Sequence, residues 1–252
     1  RGEPDVEPQF PFLRQEGLVR PTGGAEPALR VLLVGDSLSA SLVAGLEGWN
    51  ERHPDEQVWV DTHTVFGCPL VDTGVTPTIG LWATTAQCVD WHQDLDNALV
   101  RWDTDVVLMT GGLADLQGHV IDGQLVDLGD PAHDEWFRAQ LDRLAATLTA
   151  PGLPVLWANF PHVRMEEPSD PSKDWTDFPI NEPWRVDRLN ELLAEVTADR
   201  PGVTPVDLDG WLHAWPDGEF DEARRDGVHF RDAGADLAAD WLVPQLLALA
   251  AG

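Results

Sequence analysis

Apolar residues along this chain follow two alternating rhythms: short unbroken runs, and longer stretches in which they recur every three or four positions. Val31–Val34 is the first run, four apolar residues in a row, which suits a strand buried on both faces. Gly35 ends it where the chain must turn, and Leu42, Val43, Leu46 and Trp49 then recur at helical spacing, with Ser39 placed to cap that helix. The alternation repeats. Gln57–Asp61 predicts a second strand, with Val58 and Val60 on one face, and residues 89–101 a helix striped with Trp91, Leu95 and Leu99. Asp105–Thr110 predicts a third strand. Asp130 followed by Pro131 reads as an N-cap with proline at the first helical position, opening a helix to about Thr149 that carries Phe137, Leu141, Leu144 and Leu148. Pro154–Asn159 predicts the fourth strand, Glu182–Asp199 a helix, and Val203–Asp207 a short fifth strand. Asp232 reads as the cap of a closing helix to about Ala250.

Strands separated by helices of this length pair in parallel through right-handed crossovers. The expected fold is therefore α/β: a three-layer α/β/α sandwich with a doubly wound, mainly parallel five-stranded sheet. The 252 residues, 43% of them hydrophobic, suffice for one substantial core, so residues 29–252 read as one domain. Residues 1–28 are rich in Pro, Gly and Glu and read as a linker or surface arm. The start at Arg1 instead of Met suggests a processed protein or an excised domain. Leu113–Gly129 and Pro161–Glu182 are long and irregular. Both follow the carboxyl end of a strand, so they are expected to wall a cleft.

A net charge of −28 repels nucleic acid and anionic membrane surfaces, which argues against both as partners. No run of 18 apolar residues is present, so no membrane-spanning segment is expected in this chain. Two cysteines occur, Cys68 and Cys88. A disulfide between them would close a loop of about 20 residues and stabilise the fold by roughly 3 kcal/mol, implying export to an oxidising compartment. Two buried thiols are the alternative.

Ser37 stands between the carboxyl end of the first strand and the start of a helix, the edge on which open α/β sheets bind ligands. A hydroxyl needs a base to take its proton, and the base needs an acid to hold its tautomer. Asp226-Gly227-Val228-His229 supplies both near the other end of the chain, on the same sheet edge. Asp207 and Asp209 compete with Asp226 as the acid, although Asp209 also reads as the cap of a short segment from Gly210 to Ala214. Asp36 reads as a structural member of the turn and His162 as an exposed loop histidine. The twelve tryptophans, Trp82, Trp157, Trp175 and Trp184 among them, include candidates for stacking on sugars, though most suit a core. The acids and histidines show no metal-ligand spacing, and no metal or other cofactor is expected.

With Gly35-Asp36-Ser37-Leu38 after the first strand and Asp226 with His229 before the last helix, the chain resembles the SGNH, or GDSL, hydrolase family over nearly all residues after Arg30. The resemblance implies a catalytic triad of Ser37, His229 and Asp226, with the backbone amides of Ser37 and Gly67 in the oxyanion hole. The family's third block, Gly-x-Asn-Asp, corresponds here to Gly112-Leu113-Ala114-Asp115, so the asparagine donor is missing. Loss of one such donor costs about 2.7–4 kcal/mol of transition-state stabilisation. Three explanations stand open: a backbone amide near Gly111 and Gly112 substitutes, the enzyme is slow or specialised, or activity is lost.

Gly67-Cys68 with Cys88 and Trp91, Gly112–Asp115, Asp130-Pro131 and Asp226–Phe230 are most similar to the SGNH domains fused behind integral-membrane acyltransferases that O-acylate bacterial cell-surface glycans. That resemblance implies an extracytoplasmic serine esterase or O-acyltransferase, with a glycan as acceptor and a membrane acyltransferase as partner. The alternative is a catalytically weakened domain that binds glycan, or its membrane partner, without turnover.

Overall fold

A computed structural model of the protein describes residues 19–24, 26–72, 85–101, 103–165, 178–215, 223–224 and 226–252. Among these residues the strands β1 (Leu29–Gly35), β2 (Val58–Thr64), β3 (Val106–Thr110), β6 (Val155–Ala158) and β7 (Val203–Val206) form one sheet in the order β2-β1-β3-β6-β7. Every pairing in it is parallel, with Val31 opposite both Val60 and Val106. Val31–Val34 and Val106–Met109 are buried, as continuous apolar runs in a sheet covered on both faces must be.

Helices cover the two faces. After β1 come α1 (Ser37–Ser41) and α2 (Val43–Arg52), and α2 packs on the C-terminal helix α7 (Asp232–Ala250). The crossovers α3 (Thr85–Arg101), α4 (Pro131–Thr149) and α5 (Pro183–Thr197) pack on one another in sequence, α3 on α4 and α4 on α5. A short helix, α6 (Leu208–His213), follows β7. The three-layer parallel architecture expected from the sequence is the one observed, with strand and helix ends shifted by a few residues.

Four local expectations are corrected. Helix α1 is capped by Asp36, whose Oδ1 accepts from the Leu38 N–H at 2.9 Å. Ser39, expected as the cap, is buried within α1 and donates its hydroxyl to the Val34 carbonyl at 3.2 Å and to that of Thr110. Helix α6 is capped by Asp207 rather than Asp209, and Arg231 rather than Asp232 holds the cap position of α7. The stretch 113–129 is not irregular throughout. It contains an antiparallel hairpin of β4 (His119–Ile121) and β5 (Gln124–Val126), joined by Asp122 and Gly123, both at positive φ. An Asp-Gly pair between apolar-rich segments is the signature of such a two-residue turn.

Residues 1–18, and 166–177 of the second expected cleft wall, lie outside the described residues. Beyond residue 18 the arm lies against the sheet edge: Val19 forms an antiparallel bridge with Val60, and the Thr22 N–H donates to Gln57 Oε1 at 2.9 Å. At the opposite edge, β7 carries Pro205. Cys68 and Cys88 form a disulfide with a Cα separation of 5.4 Å, joining the turn after β2 to α3. Trp91, three residues beyond Cys88, strengthens that joint. Its Nε1–H donates to the His63 carbonyl at 3.0 Å, and His63 Nε2–H donates back to the Trp91 carbonyl at 2.9 Å.

Candidate active site

Gly35 brings β1 to its turn at φ +146°, and a Cβ there would lie 1.8 Å from the Thr110 carbonyl oxygen. No other residue fits so close an approach of β1 to β3 without displacing backbone. Asp36 then ties the turn together. Besides capping α1, its Oδ2 accepts from the Gly112 N–H at 2.9 Å and the Leu113 N–H at 3.1 Å. Burial raises the Asp36 carboxyl above its ordinary value, with the Gly112, Leu113 and Leu38 amides and His229 opposing it. The exits of β1 and β3 are thereby locked, and Ser37 is held as the first residue of α1.

The other half arrives from 189 residues along the chain. Gly227, at φ +78°, makes a turn so close to its neighbours that a Cβ would lie 2.0 Å from the Arg164 carbonyl oxygen. Within this turn Asp226 Oδ1 accepts from the amides of Val228 at 3.1 Å and His229 at 2.8 Å, while its Oδ2 meets His229 Nδ1 at 2.9 Å. The imidazole's far nitrogen, Nε2, lies 2.8 Å from Ser37 Oγ. Burial alone would raise the Asp226 carboxyl. The His229 ring and the His229 and Val228 amides outweigh it and hold the group well below the usual carboxylate range. Beside an ionised Asp226, the tautomer with its proton on Nδ1 would leave Nε2 to accept from the Ser37 hydroxyl.

Three further residues hold this geometry. Ser41, one helical turn beyond Ser37, accepts from the Phe230 N–H at 3.0 Å and so binds α1 to the histidine turn. Arg231 reaches Asp226 Oδ2 at 3.1 Å. Arg224, fully buried, donates to the His162 carbonyl at 2.7 Å and is attracted by both Asp209 and Asp226. The spacing of Ser37 and Ser41 was a readable sign for the first; no sequence pattern marks the two arginines.

Of the competing acids, Asp207 binds the Asn159 side-chain amide at 2.8 Å and the Gly210 N–H at 2.9 Å. Asp209 binds His162: Oδ1 lies 2.9 Å from Nδ1 and also accepts the His162 N–H at 2.8 Å. Neither reaches His229. His162 is thus half-buried and ion-paired, not an exposed loop residue. The Asp209 carboxylate raises its pKa above the ordinary histidine value, against burial. His162, Asp209 and His213 offer three metal-capable atoms within 4.8 Å of one another, the one such group among the described residues. Its ring nitrogens are already engaged, His162 Nδ1 by the Asp209 carboxylate and His213 Nδ1 by the Asp209 backbone carbonyl, each at 2.9 Å.

Gly67 lies in the turn after β2 at φ +69°. β2 runs in register beside β1, with Thr64 opposite Gly35, and the Val65 N–H donates to the Gly35 carbonyl at 3.0 Å, so this turn is carried alongside Asp36 and Ser37. Gly112 differs. Its N–H, expected as a substitute oxyanion donor, is committed to Asp36. Ala114 opens the short 3-10 turn Ala114–Leu116, and the Asp115 that follows accepts from the Leu70 N–H at 2.7 Å, holding the segment after Gly67 against the exit of β3. Trp157 is buried in the sheet, Trp184 is exposed, and Trp82 and Trp175 lie outside the described residues.

The fold is shared with solved structures of low sequence identity. An α/β hydrolase from the metagenome of Lake Arreo, Spain, matches with a TM-score of 0.56 and 18% identity, over 89% of this chain and 98% of that one. A variant of an acetyl-xylooligosaccharide esterase from Geobacillus matches with a TM-score of 0.54 and 14% identity, over 87% and 94%. The periplasmic domain of a lipopolysaccharide acetyltransferase from Salmonella ser. Paratyphi A matches with a TM-score of 0.54 and 11% identity, over 86% and 83%. No curated protein sequence matches the chain. The family profile described as GDSL-like Lipase/Acylhydrolase matches residues 33–237, a span that contains Ser37, Asp226 and His229. On that match the chain belongs to the GDSL, or SGNH, acylhydrolase family.

Proposed function

We propose that the protein is a serine esterase or O-acyltransferase that works on a cell-surface glycan or related carbohydrate, through an acyl group carried on Ser37. The observation that carries this reading is the relay from Asp226 Oδ2 through the His229 ring to Ser37 Oγ, with contacts of 2.9 and 2.8 Å between residues from opposite ends of the chain. As Ser37 Oγ attacks an ester carbonyl, its proton passes to His229 Nε2, and the ionised Asp226 balances the imidazolium. The tetrahedral oxyanion is held by the backbone amides of Ser37 and Gly67. Ser37 opens α1, so its N–H is a first-turn amide with no carbonyl partner inside the helix. Collapse expels the alcohol, which takes its proton from His229. Water or a sugar hydroxyl, deprotonated by the same ring, then releases the acyl group. No step needs a metal.

Acetyl is the proposed acyl group and a glycan the proposed acceptor, supported by the two carbohydrate-directed acetyl-transfer and esterase structures that share the fold. The Cys68–Cys88 bond supports an extracytoplasmic setting, where disulfides persist. A membrane acyltransferase as donor is part of the proposal; no described helix is itself long and apolar enough to cross a membrane.

A fluorophosphonate probe and an activated acetyl ester test the reading. Wild type is expected to be labelled and to turn over the ester, and Ser37→Ala to do neither. A folded wild type that takes no label overturns it and leaves the non-catalytic glycan-binding alternative, which Ala114 favours.

A further inference from the structure

A cavity of about 690 Å³ opens between the first turns of α4 and α5, apart from the Ser37 relay. Its one aromatic wall is Trp184, 43% exposed although tryptophan is a residue that folding normally covers. The indole is held in place before any ligand arrives. Its Nε1–H donates to Glu182 Oε2 at 3.2 Å, and the Arg185 guanidinium sits 4.5 Å from the ring centroid. Arg185 is itself anchored by two bonds to Asp127, at 2.8 and 2.9 Å.

The remaining lining is polar and mostly paired. Arg188 binds Asp134 at 2.8 Å and Glu191 at 2.5 Å, and Arg138 binds Glu195 at 2.6 Å. Glu135 and Asp187 are exposed carboxylates in the same lining, Asp187 having one oxygen 3.4 Å from His162 Nε2. A preoriented aromatic face flanked by hydrogen-bond acceptors suits a pyranose ring, whose C–H face stacks on the indole while its hydroxyls donate to carboxylates. Four lining acids against two arginines disfavour a negatively charged sugar.

One lining residue, Asp187, connects to the relay through a chain of contacts. Asp187 Oδ1 lies 3.4 Å from His162 Nε2, and two residues on, the Arg164 N–H donates to the Gly227 carbonyl at 2.9 Å, within the turn that carries His229. On the other side, Leu189 of α5 packs against Gly112, where a Cβ would meet it at 2.9 Å. Both α4 and α5 begin on the carboxyl edge of the sheet, the edge that carries Ser37.

We propose that this cavity is a saccharide subsite, in which Trp184 stacks on one ring of a neutral or amino-sugar oligosaccharide while Glu135 and Asp187 accept its hydroxyls. Its role in presenting substrate rests on the assignment of Ser37 as nucleophile; the binding itself does not. Calorimetric titration of the Ser37→Ala chain with chitotetraose, cellotetraose and tetragalacturonate tests the binding. The neutral or amino-sugar probes are expected to bind and the acidic one not to. Trp184→Ala is expected to weaken binding about tenfold, and Trp184→Phe and Asp187→Asn less. Trp184 and Asp187 are exposed, so their substitutions are expected to leave the fold intact, with an unchanged unfolding midpoint as the check.

In the active chain, Trp184→Ala is expected to raise KM for an acetylated oligosaccharide while leaving turnover of 4-nitrophenyl acetate unchanged. Failure of both neutral probes to bind, or binding indifferent to Trp184 and Asp187, overturns the subsite even where Ser37 is labelled. Trp184-dependent binding in a chain that takes no label retains the subsite and overturns the catalytic reading alone.

Discussion

Two Asp–His pairs stand side by side on the carboxyl edge of the sheet, Asp226 with His229 and Asp209 with His162. In each a carboxylate oxygen lies 2.9 Å from the ring's Nδ1 and the same carboxylate accepts the histidine's own N–H. They differ at the far nitrogen. Nε2 of His229 faces the Ser37 hydroxyl at 2.8 Å, and Nε2 of His162 faces a second carboxylate, Asp187, at 3.4 Å. A base needs a proton donor at its free nitrogen, and only the Ser37 hydroxyl at His229 is placed to be one. His162 is raised above the ordinary histidine value chiefly by its hydrogen bond to Asp209, and the second acid, Asp187, adds to that in favouring the cation. The third partner, not the pair, separates a candidate base from an ion pair.

The largest effect should come from breaking only one pair's tautomer control. Asp226→Asn is expected to lower ester turnover by about 10⁴, or roughly 5.5 kcal/mol of activation free energy. Asp209→Asn should cost less than about tenfold, since its histidine is not proposed to take part in the reaction. Similar losses from the two variants, measured as kcat/KM on one activated ester, would erase the distinction.

A smaller effect tests whether the pairs are mechanically joined. Gly227→Ala puts a Cβ at positive φ and 2.0 Å from the Arg164 carbonyl, two residues beyond His162. It is expected to destabilise the fold by about 1–3 kcal/mol in denaturant titration and to reduce activity in the protein that remains folded. An unchanged unfolding midpoint would show that the two turns move independently.

The smallest effect is electrostatic. Because the folded state raises His162, its stabilisation is complete below the ordinary value of 6.5 and disappears as pH rises through the raised value. Asp209 is lowered, burial being outweighed by His162, so its share holds above 3.8 and fades as pH falls. Wild type should therefore exceed His162→Gln in thermal stability most between about pH 4 and 6.5, by ~1 kcal/mol or less, with the gap closing as pH rises. A gap that widens toward alkaline pH would reverse the assignment.

The five parallel strands and the place of Ser37 were legible because buried parallel strands write continuous apolar runs and a glycine marks the turn, whereas the order of the strands in the sheet was not. Asp226 and His229 were legible because three residues span one tight turn. What stayed hidden depends on the other end of a contact. Asp207, Asp209 and Asp36 are equivalent as letters, and only the packing decides that the first caps α6, the second holds His162 and the third joins two strand exits. Gly112 illustrates the same limit: its amide sits in the expected block, yet Asp36 already holds it. The hairpin at Asp122-Gly123 is a different case, a local turn signal between two strands of only three residues each, too short to show an alternating pattern.

The two outer strands of the sheet have a consequence for how this domain behaves among its own copies. β2 is bridged by Val19 through an antiparallel pair, and β7 carries Pro205, which has no N–H to offer a neighbouring strand. Both rims are thus poor templates for strand addition. Growth of this sheet from copy to copy is disfavoured at both of its rims.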